Sequence, residues 1–346
     1  METQHRQGVL SGLRAGWPGR ADRGHQEAGW AHGWRLWGPC LALLALCAGF
    51  GVAEPGFLTW ANLRVIADSS AVPMILAVGL TFVVLQGSLD LSIEGVMALC
   101  SLTIAMLVLN SRTSLDLGAS ALVLAVLPGL CMGMLNGVVL TRLAVPSFMV
   151  TLGAWSVALG LAMLLSGGQP PIMKDEALRA FGQGRTASVP NLAIVAAAVV
   201  ALGHVLQHHT RFGRYSMAIG GGEHLARQSG LPVDRYKVLA FALCGLLAGL
   251  AGTLESTRIG LGHVDIGAGQ LLSTITAVVV GGTSLAGGRG GVLQSAVGAL
   301  LLNVLANGMV FIGVVPEAQL VVEGGIVLAA SLLASWQLRG RMREVR

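Results

Sequence analysis

The sequence predicts an all-α, polytopic integral membrane protein with about ten transmembrane segments, some of them broken or re-entrant helices. Three observations carry that expectation. Of the 346 residues, 54% are hydrophobic and 11% charged, with a mean hydropathy of +0.72, whereas soluble domains carry about 25% charged residues. Apolar blocks recur from Pro39 to Trp336 with no polar stretch long enough for an extramembrane domain. Several blocks are shorter than the roughly 20 residues of a straight crossing, so they must be tilted, broken or buried among the others.

The blocks lie near residues 38–53, 71–86, 93–109, 119–140, 146–166, 190–206, 237–254, 271–286, 291–312 and 318–336. Residues 1–37, rich in Gly, Arg and Trp, lack apolar periodicity and are expected to form a basic N-terminal tail. A cleaved signal peptide with Pro39–Phe50 as its core is the competing reading, but the leader is too long for an ordinary n-region. The second block stops at Gly87, a helix breaker, and Asp90 or Ser92 then caps a helix starting near Ile93, with Glu94 in its first turn. An unpaired acid at the bilayer centre costs about 3 kcal/mol. Asp90 therefore belongs either to a turn at the membrane surface or to a re-entrant break lining a pathway, and both readings stand. Further along, Gly129, Gly133 and Gly137 share one helix face, and Gly245 and Gly249 another, the spacing that lets backbones approach closely. Gly281, Gly282, Gly287 and Gly288 are expected to serve close packing or a tight turn.

Basic residues are retained on the cytoplasmic side of spans, and an N-terminus inside places sixteen there. These are Arg6, Arg14, Arg20, Arg23, Arg35, Arg142, Arg211, Arg214, Arg227, Arg235, Lys237, Arg289, Arg339, Arg341, Arg343 and Arg346, against Arg64, Arg112, Lys174, Arg179, Arg185 and Arg258 outside. Both termini then lie in the cytoplasm. Residues 38–336 form the transmembrane domain, with a loop at about 207–237 and a basic tail at 337–346. The net charge of +5 follows from this topology and gives no reason to expect nucleic acid as a partner; the lipid bilayer is the partner it fits.

Several chemistries are excluded. The only lysines are Lys174 before Asp175 and Lys237 before Val238, so no Gly-Lys-Ser/Thr phosphate loop exists. "VVVGGTSLAGGRGG" (278–291) lacks that lysine, and Ser284 does not sit in a Gly-x-Ser-Gly protease signature. Cys40, Cys47, Cys100, Cys131 and Cys244 lie in apolar blocks without a paired motif and read as buried small hydrophobes. His204, His208 and His209 have metal-like spacing but no nearby Cys or carboxylate, so a wet helix end is the better reading. No catalytic residues, metal or cofactor are expected in this chain. Polar residues inside the blocks, namely Asn136, Thr151, Ser273, Thr274, Thr276, Asn303 and Asn307, either bond between helices at about 0.6 kcal/mol each or line a path for a hydroxyl-rich solute.

A short helix is expected over 218–231: Gly220, Gly221 and Gly222 interrupt the chain, Glu223 pairs with Arg227 at i, i+4, and Ser229, Gly230 and Pro232 stop it. So short a helix needs a surface to pack on.

The segments "GSLDLS" (87–92), "NGVVLTRLAVPSFMVTLG" (136–153), "SGGQP" (166–170), "AIGGGEHLARQSGLPVDRYK" (218–237) and "AVVVGGTSLAGGRGG" (277–291) together resemble the ribose-type sugar ABC transporter permeases, over about residues 58–335. The resemblance implies a non-catalytic inner-membrane subunit of a bacterial importer, paired with a second copy or a paralogue. It further implies a cytoplasmic ATPase that holds ATP and Mg, and a periplasmic sugar-binding protein. On that reading Gly220, Gly221, Glu223, Ala226, Arg227, Ser229 and Gly230 couple to the ATPase. Gly87, Ser88, Asp90, Ser92, Glu94, Asn136, Thr151, Ser273, Thr276 and Asn303 serve the translocation path or its helix break, and Gly133, Gly137, Gly249, Gly281, Gly282 and Gly287 serve close packing. This sequence departs from the family at Ser88, Glu94 and Gly222, and at Leu271 and Ser273, where acids are frequent. A proton-coupled carrier using Asp90, Glu94 or Glu323 is the rival reading.

Overall fold

The computed structural model describes the backbone of residues 21–343 and the side chains of 37–332, with 316, 330 and 331 excepted. Residues 1–20 of the expected N-terminal tail and the side chains of the expected tail at 337–346 lie outside the described residues. The chain divides into two units, Met1–Gly38 and Pro39–Arg346, and the contacts below lie within the second.

In chain order the helices are α1 (Ala21–Ala53), α2 (Trp60–Leu85), α3 (Ile93–Leu107), α4 (Ser120–Leu143), α5 (Ser147–Ser166), α6 (Glu176–Gln183), α7 (Asn191–His209), α8 (Arg211–Gly221), α9 (Glu223–Gln228), α10 (Val233–Ile259), α11 (Gln270–Val280), α12 (Val292–Phe311) and α13 (Pro316–Arg343). A two-residue hairpin, β1 (Arg185–Thr186) with β2 (Val189–Pro190), joins α6 to α7. Each of the ten apolar blocks falls on its own helix: α1 to α5, α7, and α10 to α13. By length and composition, α2, α4, α5, α7, α10 and α12 can cross a membrane, while Trp37–Ala53, α3 and α11 are apolar but shorter.

Helix α2 begins well before its apolar block because its polar residues find partners on α12. Asn62 Nδ2 donates to the Asn307 side-chain oxygen (2.9 Å), and Asn303 Nδ2 donates to the Ser69 and Ser70 hydroxyls (2.8 and 2.7 Å). Satisfied in this way, the polar residues no longer oppose a helix in an apolar environment. Helix α10 packs most extensively against α4, then against α2 and α3.

The two glycine faces meet at the α4–α10 contact. A Cβ at Gly133 would fall on the Phe241 carbonyl and 3.1 Å from Ala242 Cα, one at Gly137 would lie 2.6 Å from Val238 Cα, and one at Gly245 would press on Gly129 and Gly133. Gly249 faces Gly129 and the Cys100 sulfur. Apart from the Cys100 sulfur, these partners are backbone atoms, which cannot step aside as a side chain can.

The loops sort to two ends. At one end, residues 85–92, the α4–α5 turn with Arg142, the segments around α8 and α9 with Arg211, Arg214, Arg227, Arg235 and Lys237, and the 281–291 loop with Arg289 lie together. At the other, Lys174 N bonds the Leu109 carbonyl (2.7 Å), Met173 N bonds that of Gly260 (2.9 Å), and Arg179 and Arg258 sit close by.

The α4–α10 contact predicts that Gly133→Val lowers resistance to unfolding in detergent by about 3 kcal/mol, through overpacking that backbone cannot relieve. Gly153→Ala, with nothing within 4 Å of the added atom, should leave it within about 0.5 kcal/mol. Denaturant titration of the purified protein reads both.

Candidate functional site

Three glycine-bearing segments converge at the first end: the turn after α2, the last turn of α8 and the loop after α11. Helix α2 closes at Gly87 (φ +73°), whose N–H bonds the Val84 carbonyl (2.8 Å). Gly288 N donates to the Leu85 carbonyl (2.9 Å), tying the 281–291 loop to the end of α2. A Cβ at Gly287, which holds φ +83°, would sit 2.8 Å from Gly87 N and 2.9 Å from Gly220 Cα, and one at Gly220 would overlap the Leu85 carbonyl. These glycines leave room for three backbones to touch. Gly281 is packed against the Gln294 backbone and Gly282 turns at φ +99°. The loop closes on itself through Ser284 N to the Arg289 carbonyl (2.9 Å) and Gly291 N to Thr283 Oγ1 (3.2 Å).

Two buried glutamines that sequence reasoning passed over join this knot to its neighbours. Gln86 Nε2 donates to Ser216 Oγ on α8 (2.9 Å) and to the Tyr236 carbonyl on α10 (3.0 Å). Gln207 Nε2 donates to the Gly290 carbonyl (3.0 Å), and its Oε1 accepts from Val292 N (2.8 Å). Their signal was a polar side chain at the last turn of an apolar block.

Beside the knot, α9 is held by charge and stopped by conformation. Glu223 pairs with Arg227 (2.9 Å) and Lys237 (2.6 Å), and Arg227 reaches Asp234 (2.6 Å). At its end, Gly230 (φ +78°) bonds the Arg227 carbonyl and Leu231 N the Ala226 carbonyl (3.1 Å), the paired stop of a Schellman turn, with Ser229 one residue before. Gly221 lies open at the end of α8. Ala226 is 5% exposed and packs with Ile219 and Val233, whereas Leu225 beside it is 67% exposed. Ala226 therefore seats the helix and Leu225 faces outward, a distinction invisible at the level of residue spacing. A pocket of about 470 Å³ separates this clasp from the α4–α5 turn, with Ser88, Thr141, Pro146 and Ser147 opposite Glu223 and Lys237.

Deeper in, the break between α2 and α3 is enclosed. Asp90 is 1% exposed; its Oδ1 accepts from Ser92 N (2.9 Å) and Ser92 Oγ (2.6 Å), and Asn136 Nδ2 donates to Ser92 Oγ (3.0 Å). The Cys244 thiol lies against the carboxyl group. Ser92 holds the N-cap position without a side-chain cap bond, and Asp90 instead closes a two-residue turn. Glu94 Oε1 accepts from Leu271 N (3.0 Å), holding the start of α11.

The other polar candidates are dispersed: Thr151 and Thr276 bond back within their own helices, to the Ser147 and Leu272 carbonyls. Asn303 bridges to α2, and Ser273 is half-buried in the first turns of α11. Asp90, Ser92 and Asn136 are thus the one group of these that the fold brings together by hydrogen bonds. Glu323 lies on α13, and no hydrogen bond joins it to Asp90 or Glu94 among the described residues. Among the described residues no His, Cys, Asp and Glu cluster could hold a metal. A second break was missed. Gly262-His-Val-Asp265, between α10 and α11, repeats the Gly-x-x-Asp of Gly87-Ser-Leu-Asp90, and that recurrence was the available signal.

Two predictions follow from these bonds. Asp90→Asn keeps the oxygen that Ser92 uses and should fold like the parent. Asp90→Leu strands a buried N–H at about 1–3 kcal/mol and should lower the yield of folded protein on size-exclusion chromatography. For Glu223, burial pushes the carboxyl up, but hydrogen bonds and charge from Lys237 and Arg227 outweigh it and hold the group below its ordinary value. A depressed carboxyl contributes fully above its unfolded pKa, about 4.3, and loses the contribution as pH falls through the folded value. Hydrogen-exchange protection over 223–237 should therefore hold from neutral pH to about 5 and fall only below the ordinary glutamate range. Lys237→Met should move the loss to higher pH.

The chain matches the family model described as "Branched-chain amino acid transport system / permease component" over residues 63–331. It is 36% identical over 297 residues to the ribose import permease protein RbsC of Escherichia coli (strain K12), covering 85% of this chain and 91% of that protein. The ribose import permease protein RbsC of Bacillus subtilis (strain 168) is 35% identical, covering 86% and 91%. The L-arabinose transport system permease protein AraH of Escherichia coli (strain K12) is 31% identical, covering 89% and 93%. No solved structure matches the chain significantly. With the polytopic helical fold and a match over most of its length, the chain belongs to the ribose-type sugar ABC transporter permeases, as a non-catalytic, multi-pass inner-membrane transport subunit.

Proposed function

We propose that this chain passes a monosaccharide or related polyol across the inner membrane, receiving it from a periplasmic sugar-binding protein and driven by a cytoplasmic ABC ATPase. The observation that carries the reading is α9: a short helix clasped by Glu223, Arg227, Asp234 and Lys237, with Leu225 outward, beside a knot that contacts α2, α8 and the α11–α12 loop. Ends of three elements meeting beside one docking helix give an external push a direct route into the bundle. ATP and Mg belong to the ATPase, and this chain holds no cofactor.

The basic end, with Arg142, Arg211, Arg214 and Lys237, faces the cytoplasm. Both termini lie on that side, residues 1–37 and 337–346 as tails flanking the transmembrane domain of 38–336. The opposite end, with α6 and the β1–β2 hairpin, receives the binding protein. A second copy or a paralogue completes the path, because helices such as α4 and α5 carry long exposed apolar faces that need lipid or a partner. The ribose and L-arabinose named for the relatives point to pentoses as the first solutes to assay.

Leu225→Glu should leave membrane insertion and the α9 fold intact while abolishing co-purification with the ATPase and uptake. Ala226→Glu should instead unseat α9, seen as lost exchange protection over 223–231. If Leu225→Glu still binds the ATPase and supports parental uptake, α9 is not the docking helix. Uptake that survives without ATP hydrolysis but collapses with the proton gradient would favour the carrier reading through Asp90, Glu94 or Glu323.

A further inference from the structure

The segment between α10 and α11 does not stay at the end of the bundle. Helix α10 stops at Gly260 (φ +79°), and Gly262 N bonds the Pro171 carbonyl (3.0 Å). From there the chain runs back along α3. His263 N donates to Ser101 Oγ (3.1 Å), Gly262 lies against Ala105 and Ser101, and Gly267 lies against Glu94 and Met97. Between Ala105 and Glu94 α3 rises about 16 Å, roughly half of the 30 Å hydrocarbon core. Residues 261–269 are thus non-helical backbone beside a buried apolar helix. Such backbone is tolerated at membrane depth only inside protein or beside water.

One side of the segment is inside protein, since Gly262 and Gly267 are buried against α3. The other is open: the Asp265 side chain is 72% exposed and that of His263 is half-buried. A carboxylate in that position cannot face lipid tails. The two side chains also carry complementary chemistry. Asp265 N donates to His263 Nδ1 (3.1 Å), and the Asp265 carboxylate lies 3.7 Å from the same nitrogen, so Nδ1 is engaged within the segment and Nε2 is the ring nitrogen left to donate outward. The segment therefore offers one N–H donor and one charged acceptor two residues apart, the pairing that vicinal hydroxyls satisfy. In the first Gly-x-x-Asp break the same acid is consumed by Ser92 and shut away from solvent.

We propose that residues 261–269 line the water-filled translocation path and that Asp265 accepts, and His263 Nε2 donates, hydrogen bonds to the passing hydroxyl-rich solute. This rests on the importer reading above. The test uses the permease assembled with its ATPase and binding protein, in proteoliposomes, with the five native cysteines replaced by alanine. A membrane-impermeant methanethiosulfonate should modify Asp265→Cys at least tenfold faster than Val157→Cys, whose site is exposed midway along α5. Labelling as slow as at Val157→Cys, or a spontaneous disulfide between two copies of Asp265→Cys that excludes the reagent, overturns the proposal. In D-ribose uptake, Asp265→Asn should stay within threefold of the parent. Asp265→Leu should lose at least tenfold while hydrolysing ATP at the parental rate, a split that a purely structural role would not produce. Parental uptake by Asp265→Leu refutes the solute contact. Should Asp265→Leu fail to assemble, fast labelling of Ala268→Cys supports the path and slow labelling refutes it. If the parent takes up no D-ribose yet Asp265→Cys labels fast, the choice of solute falls and the water-lined segment stands.

Discussion

In hydrocarbon every backbone polar group must find its partner within the protein, and no hydrophobic force draws two helices together. The contact of α4 with α10 answers both conditions, because glycines on each side let the backbones themselves supply the van der Waals contact. Helix α10 then serves as the post against which α2 and α3 pack. With α3 placed, the position of the 261–269 segment follows, since its glycines rest on α3 and one of its amides bonds Ser101. The start of α11 follows in turn through Glu94.

The same economy governs the loop knot, where contact is again between backbones and the side chains that matter are few. Gln86 and Gln207 each make two bonds across elements far apart in sequence, and Gln207 satisfies the free amide of Val292 at the start of α12. Their geometry makes α2, α7, α8, α10 and the 281–291 loop move as neighbours. The charge clasp around α9 differs in kind. It is partly solvated, so each pair contributes little alone, and its value lies in fixing the orientation of a helix too short to persist by itself.

Much of this was legible in residue order. Apolar runs located ten helices, glycine spacing marked both faces of the α4–α10 contact, and the Ser229–Pro232 signals ended α9; the single helix expected over 218–231 instead divides at Gly222, with Gly220 and Gly221 inside α8. Periodicity reports what a helix shows to one side, however, and not which neighbour stands there. That the two glycine faces meet, that Gly87, Gly220 and Gly287 touch, and that Ala226 points inward while Leu225 points out are facts of long-range packing. Asp90 illustrates the boundary well: its spacing suits a cap, but Ser92 and Asn136 lie close enough to enclose it, and the capping position passes to Ser92. Asp265 escaped because a single acid in a loop after Gly260 reads as surface, until the path of the chain is seen to run back along the buried helix α3.

The glycine seam also limits how the molecule can change shape. Two helices in backbone contact have no rotamers to rearrange, so neither can roll or slide on the other without opening a void or a clash. Helices α4 and α10 must travel as one strut. Any shear within the bundle would then fall at boundaries with side-chain slack, such as the α2–α12 contact. There Asn303 Nδ2 gathers the Ser69 and Ser70 hydroxyls and the Ile66 carbonyl at one point, a contact made by a side chain that can turn where a backbone seam cannot.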